Sequence, residues 1–154
     1  MITTLQAATI EHFGTGKETH VQSRWNAAKL FDRAYRNGKF SRLWTKLTGK
    51  KHDLLRLSRR SKADHPTTGI VVVPLSKIVG TEGRNDDFDA NFRPLKLHNR
   101  ERWISVAAAL RTGIILPAVE LLKVGDEYYV RDGHHRISVA KILGQLEIDA
   151  RIVN

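Results

Sequence analysis

At Ile70 the hydrophobic period of the chain changes, and that switch limits the folds open to it. Ile70-Val71-Val72-Val73 is a β-branched run of strand length closed by Pro74. Upstream of it the apolar residues recur at helical spacing. Ala27, Leu30, Phe31, Ala34 and Tyr35 predict a helix over 22–36, with Asn37-Gly38 as its stop. Phe40, Leu43, Trp44 and Leu47 repeat the i, i+3, i+4, i+7 stripe until Gly49, which predicts a second helix. Asp53 can cap a third short helix through Leu54, Leu55 and Leu57, and a polar link ending at His65-Pro66-Thr67-Thr68-Gly69 places a boundary there. Residues 1–16 carry weak signals and read as a loosely ordered lead-in.

Downstream of the switch the pattern mixes both periods. Leu75 to Pro94 scatters apolar residues among Gly80, Gly83, Asn85, Asp86, Asp87 and Asp89, and predicts a long loop. A helix is expected over 99–111, with Trp103, Val106, Ala107 and Leu110 on one face. Strands over 119–123 and 128–131 flank the turn Gly125-Asp126, a helix closes at Gly144, and Ile148 to Val153 is a last strand. The expected fold class is therefore α/β, of the α+β kind with a mixed sheet. The expected organisation is a basic helical region over 1–66 followed by an α/β domain over 67–154.

Charge follows the same division. The net charge is +10, and between Lys17 and Lys62 fourteen Lys and Arg less three acids give +11, so the remainder is near −1. A clustered excess of this size favours acidic partners such as nucleotides, DNA or RNA. Arg42, Lys46, Lys50, Lys51, Arg59 and Arg60 form the basic face, which fits either a solvated helical surface or a nucleic-acid dock. Trp25, Phe31, Tyr35, Phe40 and Trp44 interleave with the cations as in base-stacking proteins, but their helical stripes assign most of them to the core. The absence of cysteine excludes disulfides, thiolate metal sites and a cysteine nucleophile. No stretch approaches the roughly 20 apolar residues of a membrane span, so no membrane partner and a cytoplasmic location are expected. Whether the chain forms a homodimer stays open.

One segment carries chemistry. Asp132-Gly133-His134-His135-Arg136 stands where a predicted strand turns into a predicted helix, and such turns offer free N–H groups and a positive dipole end to phosphate. Gly133 lets backbone approach closely, Arg136 can fork onto phosphate oxygens, and His134 and His135 add donors that titrate near neutral pH. Asp132 can hold magnesium, orient a histidine or cap the helix. The spacing equally fits a well-capped helix with solvated histidines. Upstream, Glu82 and Arg84 either face the phosphate loop across a cleft or form a loop ion pair. Asp86, Asp87 and Asp89 either ligate magnesium or are solvated. His12, His20, His52, His65 and His98 show no zinc spacing.

From about Ile70 to Asn154 the chain resembles the ParB N-terminal and sulfiredoxin-like superfamily, whose signature loop opens a helix in the same way. Sulfiredoxin has a catalytic cysteine in Gly-Cys-His-Arg where His134 stands here, so sulfinic acid repair is excluded. Partitioning ParB proteins have a Gly-Glu-Arg-Arg box that binds CTP and a DNA-reading helix-turn-helix beyond it. Here His134 and His135 occupy the middle of that box, and the last predicted strand ends the pattern. The free serine kinase branch has Asp-Gly-His-His-Arg, identical to Asp132 to Arg136. That resemblance implies nucleotide binding (ATP, ADP or CTP) with Mg2+, kinase-like phosphotransfer or hydrolysis, and Glu82 as base. Its catalytic set would be Glu82, Asp132 and His134, with Gly133, His135, Arg136 and Arg84 at the phosphates. The Gly80 to Arg84 loop and the Asp86 to Asp89 run depart from kinase motifs, so serine is not carried over as the acceptor. The alternative is a DNA-binding ParB-like protein or nuclease docking nucleic acid through its basic N-terminal helices.

Overall fold

The computed structural model describes residues 19–49, 53–57, 64–83 and 86–154. The lead-in over 1–16 and the site candidates Lys50, Lys51, Arg59, Arg60 and Arg84 lie outside the described residues.

Helix α1 runs unbroken over His20–Thr48, 29 residues, where two helices are predicted. It starts at the Thr19 side chain, which accepts from the Gln22 N–H, and ends at Gly49 in the left-handed region (φ 70°). Asn37-Gly38 does not stop it because Gly38 has a packing role. A Cβ there would lie 2.9 Å from the Pro94 carbonyl oxygen, so the glycine lets α1 approach that loop. The buried residues of α1 are Ser23, Ala27, Phe31, Ala34 and Gly38. Phe31 meets Trp103 of α2 (Arg100–Arg111) edge-on at 5.7 Å, and Arg24 reaches Glu101 at 3.0 Å.

The expected third helix is instead a strand. β1 (Leu55–Arg56) lies at one edge of a six-stranded sheet, parallel to β3 (Ile78–Thr81), and Asp53 bridges to Asp89. Two residues cannot show a period, so pairing alone decides this strand. β3 itself falls inside the predicted loop over 75–94, where a short 3-10 turn (Leu75–Lys77) precedes it. The other strands lie close to their predicted positions: β2 (Val71–Pro74), β4 (Val119–Val124), β5 (Glu127–Asp132) and β6 (Glu147–Val153).

The sheet order is β1-β3-β5-β4-β6-β2. β3 pairs parallel with β5, β4 parallel with β6, while β4–β5 and β2–β6 are antiparallel. Pro74 is tolerated because β2 is an edge strand. Gly125 takes the positive φ (60°) that opens the two-residue β4–β5 turn. The fold is thus mixed α/β, with a mixed sheet and three helices among the described residues.

Two apolar clusters meet at α3 (His134–Ile142). Ile137 and Ala140 enter the sheet-side core with Val73, Leu121, Val130 and Ile152, and Val139 enters the cluster of Phe31, Trp103 and Ala107. The core therefore crosses the expected boundary at residue 66. Phe31→Ala should lower the free energy of unfolding by about 3–5 kcal/mol, and urea unfolding followed by circular dichroism and by tryptophan fluorescence should move together. A first transition confined to α1, with the rest unmoved, would contradict the shared core.

Candidate functional site

Because β3 and β5 are parallel neighbours, with Thr81 opposite Val130, their carboxyl ends open on the same edge of the sheet. Crevices outside the carboxyl ends of parallel strands are where α/β sheets take ligands. The loop after β3 contributes Glu82 and Gly83, and the loop after β5 contributes Gly133 and the first turn of α3.

Gly133 makes the turn. Its φ is 97°, and a Cβ would lie 2.5 Å from Val119 Cγ1, so both conformation and close approach require glycine. No side chain caps the α3 N-terminus, and its first turn carries no acid. The positive end of the α3 dipole thus lies at the edge where β3 and β5 end, with no acidic side chain of its own first turn to offset it.

His134 and His135 are buried, 5% and 7% exposed, which removes the solvated-histidine alternative. The His134 ring lies against Phe88 at 6.1 Å and nearly parallel, and His135 meets the same ring edge-on at 5.6 Å. His134 Nε2 is 2.7 Å from Thr81 Oγ1, and that hydroxyl also accepts from the Gly83 N–H at 3.1 Å and stands 3.3 Å from the Val130 carbonyl. One hydroxyl hydrogen has two acceptors available, so the His134 tautomer sets which one it serves. The pair joins the β3 end to the helix that opens the site.

Arg136 braces the loop. Its guanidinium donates to Asp132 Oδ2 at 2.6 Å and to the carbonyls of Pro117 and Ala118, and its side chain is only 17% exposed. The predicted fork onto phosphate is here a fork onto protein oxygens. Asp132 is 62% exposed beside it. Glu82 also has a partner: its carboxylate takes Arg131 Nε at 2.8 Å and Arg131 Nη2 at 3.3 Å. The hydrogen bond from Arg131 is the main cause that holds the Glu82 carboxyl below its ordinary pKa, and slight burial opposes it.

The acidic run is structural. Asp89 Oδ1 accepts from the N–H groups of Asn91 and Arg93, and Oδ2 accepts from Arg93 Nε. This turn holds Phe92 at φ 59° with its ring fully buried. Asp87 pairs with Lys96 at 3.0 Å. Asp87 and Asp89, read from the sequence as either magnesium ligands or solvated acids, instead fix the loop that places Phe88 under both histidines. Thr81, Phe88 and Arg131 are the site residues that sequence reasoning missed. Only the hydroxyl beside Glu82 and the lone aromatic among the acids marked two of them.

Arg42 and Lys46 are exposed on α1, which is not part of this site. Comparison with protein-family models, with curated proteins and with solved structures returns no match.

The Arg131–Glu82 pair has a definite pH dependence. A carboxyl with a depressed folded pKa contributes stability above its unfolded value, and that contribution is lost as pH falls through the folded pKa. Arg131→Gln should return the Glu82 carboxyl to its ordinary range in a 13C NMR titration, and remove a stabilisation of under about 1 kcal/mol at neutral pH, as expected of an exposed pair. An unmoved Glu82 titration would assign the depression to another group.

Proposed function

We propose that the chain is a nucleotide-binding protein of the ParB and sulfiredoxin-like type, holding phosphate at the carboxyl edge of β3 and β5. The observation that carries this reading is the N-terminus of α3, without a side-chain cap or an acid in its first turn, presented by a left-handed Gly133 at the edge where two parallel strands end. N–H groups at such a terminus suit phosphate oxygens. The Asp132 to Arg136 match with the kinase branch agrees with the same edge.

The roles are redistributed from those expected. The dipole end of α3, rather than the Arg136 fork, attracts the phosphates. Arg136 keeps the loop in shape through Asp132, Pro117 and Ala118. His134 relays the position of β3 to the loop through Thr81. Asp132 fits a magnesium ion, because its carboxylate is 62% exposed and Oδ2 alone is engaged by Arg136. The ion would arrive with the nucleotide and neutralise charge on its phosphates.

Phosphotransfer adds one requirement. An acceptor hydroxyl attacks the terminal phosphorus, its proton passes to Glu82, and the shortened nucleotide leaves. Glu82 is ionised at neutral pH, but Arg131 occupies both carboxylate oxygens, so the pair must open before Glu82 takes a proton. The incoming phosphate, itself an anion, is the group that can draw Arg131 away.

Calorimetry and thermal shift with ATP, ADP and CTP in the presence of magnesium test the binding. Wild type should bind at least one of them, and His134→Ala should weaken that binding about tenfold or more. Glu82→Gln should leave binding intact and lower turnover about 10²-fold or more. Silence from all three nucleotides removes the reading, whereas binding with turnover unaffected by Glu82→Gln removes only Glu82 as base.

A further inference from the structure

The outer side of α1 carries a feature that the phosphate site does not use. Trp25, Lys29, Arg33, Arg36, Phe40 and Trp44 follow one another at spacings of four, four, three, four and four residues, close to the helical period, so they form one straight ridge. All six are exposed. Trp25 is 56% exposed, Phe40 66% and Trp44 57%, whereas the helical stripe had assigned most of these aromatics to the core. The core instead takes the other side of the helix, at Ala27, Phe31, Ala34 and Gly38. Leu43 and Leu47 extend the exposed surface past Trp44.

Cations and rings are combined along this ridge. Lys29, Arg33, Arg36 and Tyr35, with Asp32, line an open concavity on its N-terminal half. Lys29 Nζ sits 3.3 Å from the centre of the Trp25 ring. One turn beyond Arg36, the Phe40 and Trp44 rings lie 6.4 Å apart and only 21° from parallel.

We propose that this ridge binds single-stranded nucleic acid, with Lys29, Arg33 and Arg36 on the phosphates and the Phe40 and Trp44 rings stacking on bases. A basic track beside flat aromatic faces is what a single strand requires when it is held without sequence reading. A bilayer surface favours a helix with cations and apolar residues on opposite faces, and here they share one ridge. A second copy of the chain would bring Lys29, Arg33 and Arg36 against their own like charges, and the segment from Lys17 to Lys62 already stands at +11. The ridge is separate from the edge of β3 and β5, so it stands or falls independently of the nucleotide reading.

Fluorescence anisotropy of the full chain with labelled oligo(dT) and a mixed-sequence single-stranded RNA tests this. Binding at about 50 mM salt should fall steeply by 200 mM, and Arg33→Ala with Arg36→Ala should reduce the slope of log K against log salt by about 0.7 for each phosphate that is no longer neutralised. Phe40→Ala with Trp44→Ala should weaken binding at least about tenfold. Phe40→Leu with Trp44→Leu keeps apolar surface but removes the rings, and should weaken binding similarly. All the substituted positions are exposed, and far-ultraviolet circular dichroism of each variant checks that it is folded. Absence of oligonucleotide binding by wild type, or full binding by the leucine variant, overturns the proposal. So does preferential binding to vesicles of phosphatidylserine and phosphatidylcholine. Ring-dependent self-association in sedimentation, without oligonucleotide binding, would assign the ridge to a second copy.

Discussion

The hydroxyl of Ser138 ties the molecule together. It accepts the indole N–H of Trp103 at 2.9 Å and donates to the backbone carbonyl of Phe92, and all three groups are buried. Removing it would leave a donor and an acceptor unsatisfied in the interior, at a cost of about 1–3 kcal/mol for each group. Through Trp103 it reaches α2 and, by ring contact with Phe31, α1. Through Phe92 it reaches the loop that carries Phe88. Ser138 itself sits on α3, one turn inside the helix whose first residues form the candidate phosphate site.

That arrangement explains why the site is held firmly. Phe88 packs under both histidines, Thr81 meets His134, and Arg136 locks the loop to Asp132 and to the segment entering β4. Each contact helps to position the α3 N-terminus. The acidic run supplies this rigidity locally, since Asp89 holds a turn in which Phe92 adopts a positive φ that a bulky residue rarely takes. An acidic loop that the sequence left as either metal-binding or solvated is instead the scaffold behind the histidines.

Helix α1 has a different character on each side. One side is a packed element of the core, and the other presents rings and cations to solvent along a helix of about 43 Å. A stripe at helical spacing shows that residues share a side of a helix, but it does not say whether another element covers that side. Two stripes on opposite sides of one continuous helix looked, in one dimension, like two amphipathic helices in succession. Gly38 strengthened that impression, although its smallness serves the approach to Pro94.

Local pattern was enough for the elements whose signals are local. The hairpin around Gly125-Asp126, α2, the strand ended by Pro74 and the strand-to-helix turn at Gly133 all follow from period, turn residues and caps within a few positions. The same local chemistry marked Asp132 to Arg136 as a segment that opens a helix. What depended on distant partners was decided only by the tertiary structure. β1 is too short to show a period and the apolar run of β3 is broken by Gly80, so both are fixed by pairing with each other and with β5. The ion pair of Glu82 with Arg131 joins residues 49 positions apart, and His134 meets Thr81 across 53. Burial of the histidines and exposure of Phe40 and Trp44 likewise depend on which surfaces meet, and that is a property of the packed chain rather than of any window along it.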